Sequence, residues 1–182
     1  MDKSLKLCKK CVLDEHIPNI EFDEKGICNY CKLHEVRDPL FPTGEDGKKI
    51  IEKLVMQMKD DGKGKDYDCL CGISGGADSS YLLHLLKQYD LRILAFHFDN
   101  GWNSELAVNN IKQLLNKLEI ELYTYVVNWE EFKELQKAFL RASTSDVEKV
   151  SDLSIPKITY KVANKFNLKY IISGGNFRTE GE

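Results

Sequence analysis

The chain has 182 residues, a formal net charge of −3 and a composition of 42% hydrophobic and 30% charged residues, as in an ordinary soluble globular protein. Its apolar runs are about one strand long, and residues 1–11 lack the apolar core of a signal peptide. The sequence therefore predicts a cytoplasmic protein with no membrane span. The small acidic excess argues against broad electrostatic capture of nucleic acid.

The first feature along the chain is a pair of CxxC motifs separated by sixteen residues, made by Cys8, Cys11, Cys28 and Cys31. This spacing is typical of a zinc ribbon, in which each motif presents two thiolates to one tetrahedral ion. Few apolar residues surround the motifs, so a bound metal would supply much of the folding energy. We therefore predict a structural Zn²⁺ site in a module spanning residues 1–36. An iron–sulfur site and a redox disulfide are the alternatives.

A linker rich in Pro and Gly and an amphipathic helix are predicted for residues 37–65. From residue 66 onward, short apolar strands alternate with helices that carry one apolar stripe. The predicted strands are residues 67–73, 91–98, 120–127 and 168–173, and the helical stripes are residues 82–89, 107–118, 132–139 and 151–166, with Pro156 in the first turn of the last helix. This alternation predicts an α/β domain over residues 66–182, with a parallel sheet covered by helices on both faces.

The first predicted strand ends in a glycine turn that passes directly into a helix. Glycines let backbone amides approach a ligand and a helix N-terminus favours an anion, so this turn predicts a phosphate cradle. Hydroxyl groups would add donors, and Asp78 would hold Mg²⁺ carried by a polyphosphate. The alternative is an ordinary strand-to-helix turn that Ser74 or Asp78 merely caps. The candidate phosphate-binding residues are Ser74, Gly75, Gly76, Asp78, Ser79 and Ser80.

The string S-G-G-x-D-S between a strand and a helix resembles the PP-loop of the ATP pyrophosphatase superfamily, whose fold is adenine nucleotide alpha hydrolase-like. The resemblance implies an enzyme that grips the β- and γ-phosphates of ATP, adenylates a carbonyl or carboxyl oxygen and releases pyrophosphate. It implies catalytic roles for Asp78, Ser79 and Asp99, although Asp99 is equally well explained as a turn residue. It also implies adenine contacts near Phe98, and we expect a second SGG turn, at Gly174 and Gly175, to face the same ligand.

Longer strings are similar to the N-acetyl sugar amidotransferases of bacterial surface-polysaccharide biosynthesis, namely HFDNGWNSELAVNNI, LYTYVVNWEEFKELQKAFLRAS, and ISGGN followed by TEG. This resemblance implies conversion of an acetamido group on a nucleotide-linked sugar to an acetamidino group. ATP would activate the amide oxygen, and ammonia from a separate glutaminase subunit would attack the carbon. Members of the family continue past the SGGN turn. We therefore expect the sheet of this chain to lack its closing elements, and this chain alone not to complete the reaction at a useful rate.

Two other functions stay open. Zinc modules are also joined to a PP-loop in tRNA 2-thiolation enzymes, but those enzymes carry sulfur on further cysteines, and this chain has none after Cys71. The other alternative is a fragment that binds a nucleotide or a partner without catalysis.

Several residues near the predicted site have two interpretations. Trp102 is either a surface on which a sugar stacks or a residue packed under its loop, and its neighbour Asn103 lies in the same family string. Arg141 is either a contact to an acidic group of the substrate or part of a surface ion pair. The remaining candidates are predicted to be packing residues, namely Cys69, Cys71 and His97.

Overall fold

The computed structural model describes residues 5–175, which form two compact units, one ending at Glu52 and the other beginning at Lys53. In the first unit, Leu7 makes an antiparallel bridge to Asp14 on either side of the first CxxC motif. A second bridge of this kind joins Phe22 to Cys28. The helices that follow are α1 (Asn29–Arg37), a single 3-10 turn (Asp38–Leu40) and α2 (Gly44–Asp61).

The second unit alternates between strands and helices, as the sequence predicts. The strands are β1 (Cys69–Gly72), β2 (Ile93–Asp99), β3 (Glu121–Val126) and β4 (Ile171–Ile172). The helices are α3 (Ala77–Gln88), α4 (Glu105–Leu118), α5 (Trp129–Arg141) and α6 (Lys149–Lys165). Among residues 5–175, no helix combines the length and the apolar character needed to cross a membrane.

All neighbouring strands are parallel and lie in the order β3-β2-β1-β4. From β1 the chain moves outward to β2 and β3, and then crosses back to the other side of β1 to form β4. The direction of winding therefore reverses between β1 and β4. In open α/β sheets, ligands bind at the carboxyl ends of the strands at such a reversal, because the loops there leave on opposite faces and open a crevice.

Both faces of the sheet are covered. On one face, Leu70, Leu94 and Phe96 pack against Val162 and Ala163 of α6. Side chains alternate along a strand, so the neighbouring residues point to the other face, where they are also buried: Cys69, Cys71, Ile93 and Ala95. Helix α5 packs with α6 and helix α3 with α4, and right-handed crossovers place the two pairs on opposite faces. The predicted fold class is confirmed.

Pro156 does not lie in the first turn of its helix, so that prediction is wrong. Helix α6 begins at Lys149, and Pro156 lies inside it. An interior proline removes a backbone hydrogen bond and crowds the preceding turn, at a cost of about 3 kcal/mol. The additional N-terminal turns bury Val150 and Ser151, and this tertiary packing offsets the cost.

Candidate functional site

A cleft of about 490 Å³ lies at the carboxyl edge of the sheet, where the winding reverses. The turn after β1 and the turn after β4 both face it, through Ser74, Asp78, Ser79, Ser173, Gly174 and Gly175. The sequence predicts that the two SGG turns share one ligand, and the structure brings them together at one cleft. Their role in binding stays a prediction.

The turn after β1 is held by hydrogen bonds among its own residues. The backbone N–H of Ser74 donates to Ser79 Oγ at 3.2 Å, and the hydroxyl groups of these two serines lie 3.1 Å apart. Ser80 Oγ donates to the carbonyl oxygen of Gly76 at 2.6 Å. Within the described chain, no side chain caps the N-terminus of α3 at Gly76, so the first-turn amides are left for a ligand.

The turn divides the predicted phosphate-binding residues between two surfaces. Ser74, Asp78 and Ser79 line the main cleft. Gly75, Gly76 and Ser80 instead line a second depression of about 520 Å³, together with residues of α4 that include Asn110, Gln113 and Lys117. The turn is therefore a wall between two openings, and a phosphate in the main cleft would meet its serines and the start of α3.

A side chain at Gly75 would collide with backbone, and one at Gly174 would make a tight contact with backbone. Gly75 has φ +80°, and a Cβ added there would lie 2.5 Å from the carbonyl oxygen of Ala107. Asn110 Nδ2 donates to the carbonyl oxygen of Gly75 at 3.3 Å, which fixes the turn against α4. A Cβ on Gly174 would lie 3.2 Å from the backbone nitrogen of Ser79. The second SGG turn therefore lies directly against the first turn of α3.

The end of β2 forms the apolar part of the cleft. Phe98 lines it and stacks on Tyr125, with ring centroids 6.0 Å apart and planes inclined by 5°. His97 is buried, and its Nδ1–H donates to the carbonyl oxygen of Ile73 at 3.0 Å. That bond ties β2 to the turn after β1, as expected for a packing residue.

Burial raises the pKa of both buried strand thiols, Cys69 and Cys71, to about 12, so they stay neutral at ordinary pH.

Asp99 organises the loop after β2. Its Oδ1 accepts hydrogen bonds from the backbone N–H of Gly101 at 3.0 Å and from Asn103 Nδ2 at 2.9 Å. Among the described residues, Asn100 and Asn103 line the cleft but Asp99 does not. The geometry is that of a turn residue, the alternative that the sequence left open. The predicted catalytic role of Asp99 stays a prediction.

Helix α6 supplies a wall of the cleft that no sequence motif indicated. Ser151, Asp152 and Ile155 of the helix line it, and so does Glu148, the residue just before the helix. Ser151 is only 3% exposed, and its Oγ accepts a hydrogen bond from Asn100 Nδ2 at 3.1 Å. The sequence carried only a weak signal for this contact, because a buried serine needs a hydrogen-bond partner. However, the partner lies 51 positions away in the sequence.

The charged residues that line the cleft are acidic. Asp78, Glu148 and Asp152 line it, and none of the described lining residues is Lys or Arg. A polyphosphate in this cleft would be repelled by the carboxylates unless a cation lay between them. Carboxylate and phosphate oxygens are the ligands that Mg²⁺ prefers. The residues present therefore fit a magnesium-bound nucleotide, with Asp78 as the carboxylate on the turn itself.

The four cysteines of the first unit form one cluster, in which all four Sγ atoms lie within 4.8 Å of one another. Cys8 Sγ lies 3.9 Å from Cys31 Sγ, and Cys11 Sγ lies 3.7 Å from Cys28 Sγ. A tetrahedral ion with Zn–S bonds of about 2.3 Å separates its sulfur ligands by roughly 3.8 Å. The donor set and its spacing therefore fit a single tetrahedral zinc ion.

Backbone amides and crowding act on the thiols in opposite directions. Burial raises the pKa of Cys8, but hydrogen bonds from the backbone N–H groups of Lys10, Cys28 and Cys11 lower it by more, so the pKa falls to about 6. Burial and the three neighbouring thiols raise the pKa of Cys31. Four thiolates cannot crowd together without a cation, and a divalent metal ion supplies that charge.

The fold and the turn after β1 define a domain of the PP-loop ATP pyrophosphatase superfamily. The family model described as Queuosine biosynthesis protein QueC matches residues 68–172, and the chain belongs to this family. The match spans β1 through β4 and therefore includes the turn after β1 and α6, and it ends at residue 172, just before the second SGG turn of the cleft.

Solved structures and a curated relative are also similar. NMN synthetase from Francisella tularensis is 22% identical, with a TM-score of 0.50 over 71% of this chain and 55% of that one. The NH3-dependent NAD synthetase from Campylobacter jejuni is 17% identical, with a TM-score of 0.51 over 71% and 57%. These likenesses show the fold. An uncharacterized protein of Methanocaldococcus jannaschii is 29% identical over 169 residues, which are 92% of this chain and 58% of that protein. The chain thus spans little more than half the length of this relative.

Proposed function

We propose that this chain is the ATP-binding synthetase part of an amidotransferase that converts the acetamido group of a nucleotide-linked N-acetyl sugar to an acetamidino group. One observation carries the proposal: the SGG turn and the uncapped first turn of α3 face a cleft at the point where the sheet reverses its winding. The strings similar to N-acetyl sugar amidotransferases favour this acceptor over other acceptors. The proposed setting is surface-polysaccharide or glycan biosynthesis.

In this proposal the turn after β1 binds the phosphates of ATP. The first-turn amides of α3 and the hydroxyl groups of Ser74 and Ser79 donate hydrogen bonds to phosphate oxygens, and the helix dipole favours their charge. Asp78 binds Mg²⁺, which offsets the repulsion between the polyphosphate and the carboxylates of the cleft. The adenine ring lies toward the apolar end of β2 near Phe98.

The reaction then takes two steps. The acetamido oxygen attacks the α-phosphorus of ATP, and the bond to the pyrophosphate group breaks, so pyrophosphate leaves. Ammonia adds to the activated carbon, the carbon–oxygen bond breaks, and AMP leaves with the former amide oxygen. Adenylation is needed because an amide oxygen is a poor leaving group and AMP is a good one. The cleft contributes mainly by holding the two reactants in line, which supplies about 7–11 kcal/mol in favourable cases.

The partners follow from the same chemistry. We propose that a separate glutaminase subunit supplies the ammonia, since the resemblance implies one. The cysteine cluster is proposed to hold structural Zn²⁺, because its sulfur spacing matches a tetrahedral ion.

The first test measures Mg·ATP binding by calorimetry. Asp78→Asn should weaken the affinity at least tenfold, because it removes the carboxylate on the turn while keeping its shape. Asp90→Asn is the matched control. It makes the same change just beyond the other end of α3, at φ +56°, a conformation that asparagine also adopts. Equal affinities for the wild type and Asp78→Asn would contradict the assignment of the turn.

The second test uses a full-length relative of this chain, because this chain alone is not expected to complete the reaction at a useful rate. It follows pyrophosphate release with ATP, Mg²⁺, ammonium chloride and UDP- or CMP-linked N-acetyl sugars. Ammonium chloride replaces the glutaminase. Sugar-dependent pyrophosphate with formation of an amidine supports the proposed reaction. Pyrophosphate release that depends on tRNA and a sulfur donor, with no response to sugars, would overturn it in favour of tRNA thiolation. Tight ATP binding without any turnover would favour a non-catalytic nucleotide-binding role.

A further inference from the structure

Trp102, in the loop after β2, forms an aromatic pair with Trp129 and lies mostly in solvent. Trp102 is 64% exposed and Trp129, the first residue of α5, is 40% exposed. Indole rings are usually among the more buried side chains, because each offers a large apolar surface. An indole that packs under its own loop would be covered. The exposure of Trp102 therefore argues against the packing interpretation that the sequence left open.

Trp102 is exposed but held in one position. Its indole Nε1–H donates to Gln136 Oε1 at 2.7 Å, and its backbone N–H donates to Asn100 Oδ1 at 3.1 Å. Its ring meets that of Trp129 edge to face, with centroids 5.7 Å apart and planes inclined by 71°. Three separate contacts therefore hold an exposed apolar ring in one position. A ligand that binds to this ring would lose little side-chain entropy in fixing it, because the ring is already fixed.

The neighbouring glycine allows this arrangement. Gly101 has φ +80°, and a Cβ there would lie 3.0 Å from the ring of Trp129. Any other residue at this position would be strained and would push the aromatic pair apart. Glycine at residue 101 therefore gives the loop this backbone conformation without strain and leaves room for the ring of Trp129.

Trp102 is not itself a lining residue of the cleft, but residues of its loop are. Asn100 and Asn103, on either side of Trp102 in the sequence, both line the cleft, and Asn100 is also bonded to Ser151 of α6. A substrate that fills the cleft would contact this loop, and the loop carries the indole.

We propose that Trp102 is a stacking surface for one face of a ring of the acceptor substrate. This inference rests on the proposed function, because it assigns the substrate-binding role to the rim of the same cleft. The chemistry is the face of an uncharged ring, which either the pyranose of the N-acetyl sugar or the base of the attached nucleotide provides. Gln136 and Trp129 act as positioning residues that fix the indole.

Intrinsic fluorescence tests this inference directly, because the chain has 2 tryptophans and they form this pair. The probes are N-acetylglucosamine, UDP-N-acetylglucosamine and UDP, each titrated with and without Mg·ATP. Trp102→Phe and Trp129→Phe leave one tryptophan each and show which ring responds. We expect a saturable change that persists in Trp129→Phe and is lost in Trp102→Phe.

Affinity measured by calorimetry completes the test. Trp102→Ala should weaken binding of UDP-N-acetylglucosamine about tenfold, as loss of a stacked ring does, and Trp102→Phe should weaken it less. A response to N-acetylglucosamine alone assigns the pyranose, and a response to UDP alone assigns the base. Both variants should keep the melting temperature of the wild type, because most of the indole is exposed.

The two proposals fail differently. If Mg·ATP binds but no probe changes the fluorescence at millimolar concentration, or if Trp102→Ala binds the nucleotide sugar as tightly as the wild type, the stacking surface is refuted and the nucleotide site stands. If a probe binds at Trp102 but Mg·ATP does not bind, the stacking surface stands and the proposed function fails. A fluorescence change from Mg·ATP alone, with no further change from the sugars, also refutes the stacking surface.

Discussion

The two glycines of the turn after β1 should respond very differently to the same substitution. Gly75 has φ +80° and faces the backbone of Ala107, whose carbonyl oxygen would lie 2.5 Å from an added Cβ. Gly76 has φ −81° and ψ 172°, which any residue adopts, and its nearest neighbour would be Ser74 Oγ at 3.4 Å. Gly75→Ala and Gly76→Ala therefore form a matched pair one position apart.

The expected cost of Gly75→Ala has two parts. A left-handed backbone costs a residue with a Cβ about 1–2 kcal/mol. Forcing a methyl group into a closed contact costs about 1–3 kcal/mol more, because α4 or the turn must move. The free energy of unfolding should therefore fall by about 2–5 kcal/mol in Gly75→Ala, and by less than about 1 kcal/mol in Gly76→Ala.

Urea unfolding monitored by tryptophan fluorescence measures this difference, because Trp102 and Trp129 both lie in the second unit. With a slope of about 2 kcal/mol per molar urea, the midpoint should fall by about 1–2.5 M in Gly75→Ala. Equal midpoints for the two variants would show that the turn does not hold the conformation described. A larger loss in Gly76→Ala than in Gly75→Ala would refute the argument outright.

Two further predictions concern metal and pH. Protein purified without added metal should contain zinc held by Cys8, Cys11, Cys28 and Cys31, and a chelator should unfold the first unit. Iron in elemental analysis, or a disulfide within either CxxC motif, would contradict the assignment. The phenol of Tyr67 donates to Glu121, and this raises the pKa of Tyr67 from 10.0 to about 12. The unfolded chain therefore loses this proton first as the pH rises, so stability falls between pH 10 and pH 12. Tyr67→Phe should remove that part of the fall in melting temperature, and matching pH profiles for the two proteins would show that the bond is absent.

Local sequence patterns predicted the cysteine cluster, the parallel sheet and the turn after β1. The spacing of the four cysteines predicted one cluster, because each CxxC motif places two thiols at one corner of a site. The alternation of apolar strands with striped helices predicted the parallel sheet, because apolar residues on both sides of a strand require helices on both faces. The string from Ser74 to Ser79 predicted the turn and the helix start, because glycine and capping preferences act within a few residues.

Tertiary structure alone decided the strand order, the difference between the two glycines of the turn and the place of α6 at the cleft. Strand β4 pairs with β1 and not with β3, and this pairing places the reversal of winding at the SGG turn. The two paired strands lie about 100 residues apart in the sequence. The difference between Gly75 and Gly76 depends on how closely α4 approaches. Helix α6 begins seven residues before Pro156, and its first turn buries Val150 and Ser151. Each of these features depends on contacts between residues far apart in the sequence, and no local preference encodes which distant segment will provide them.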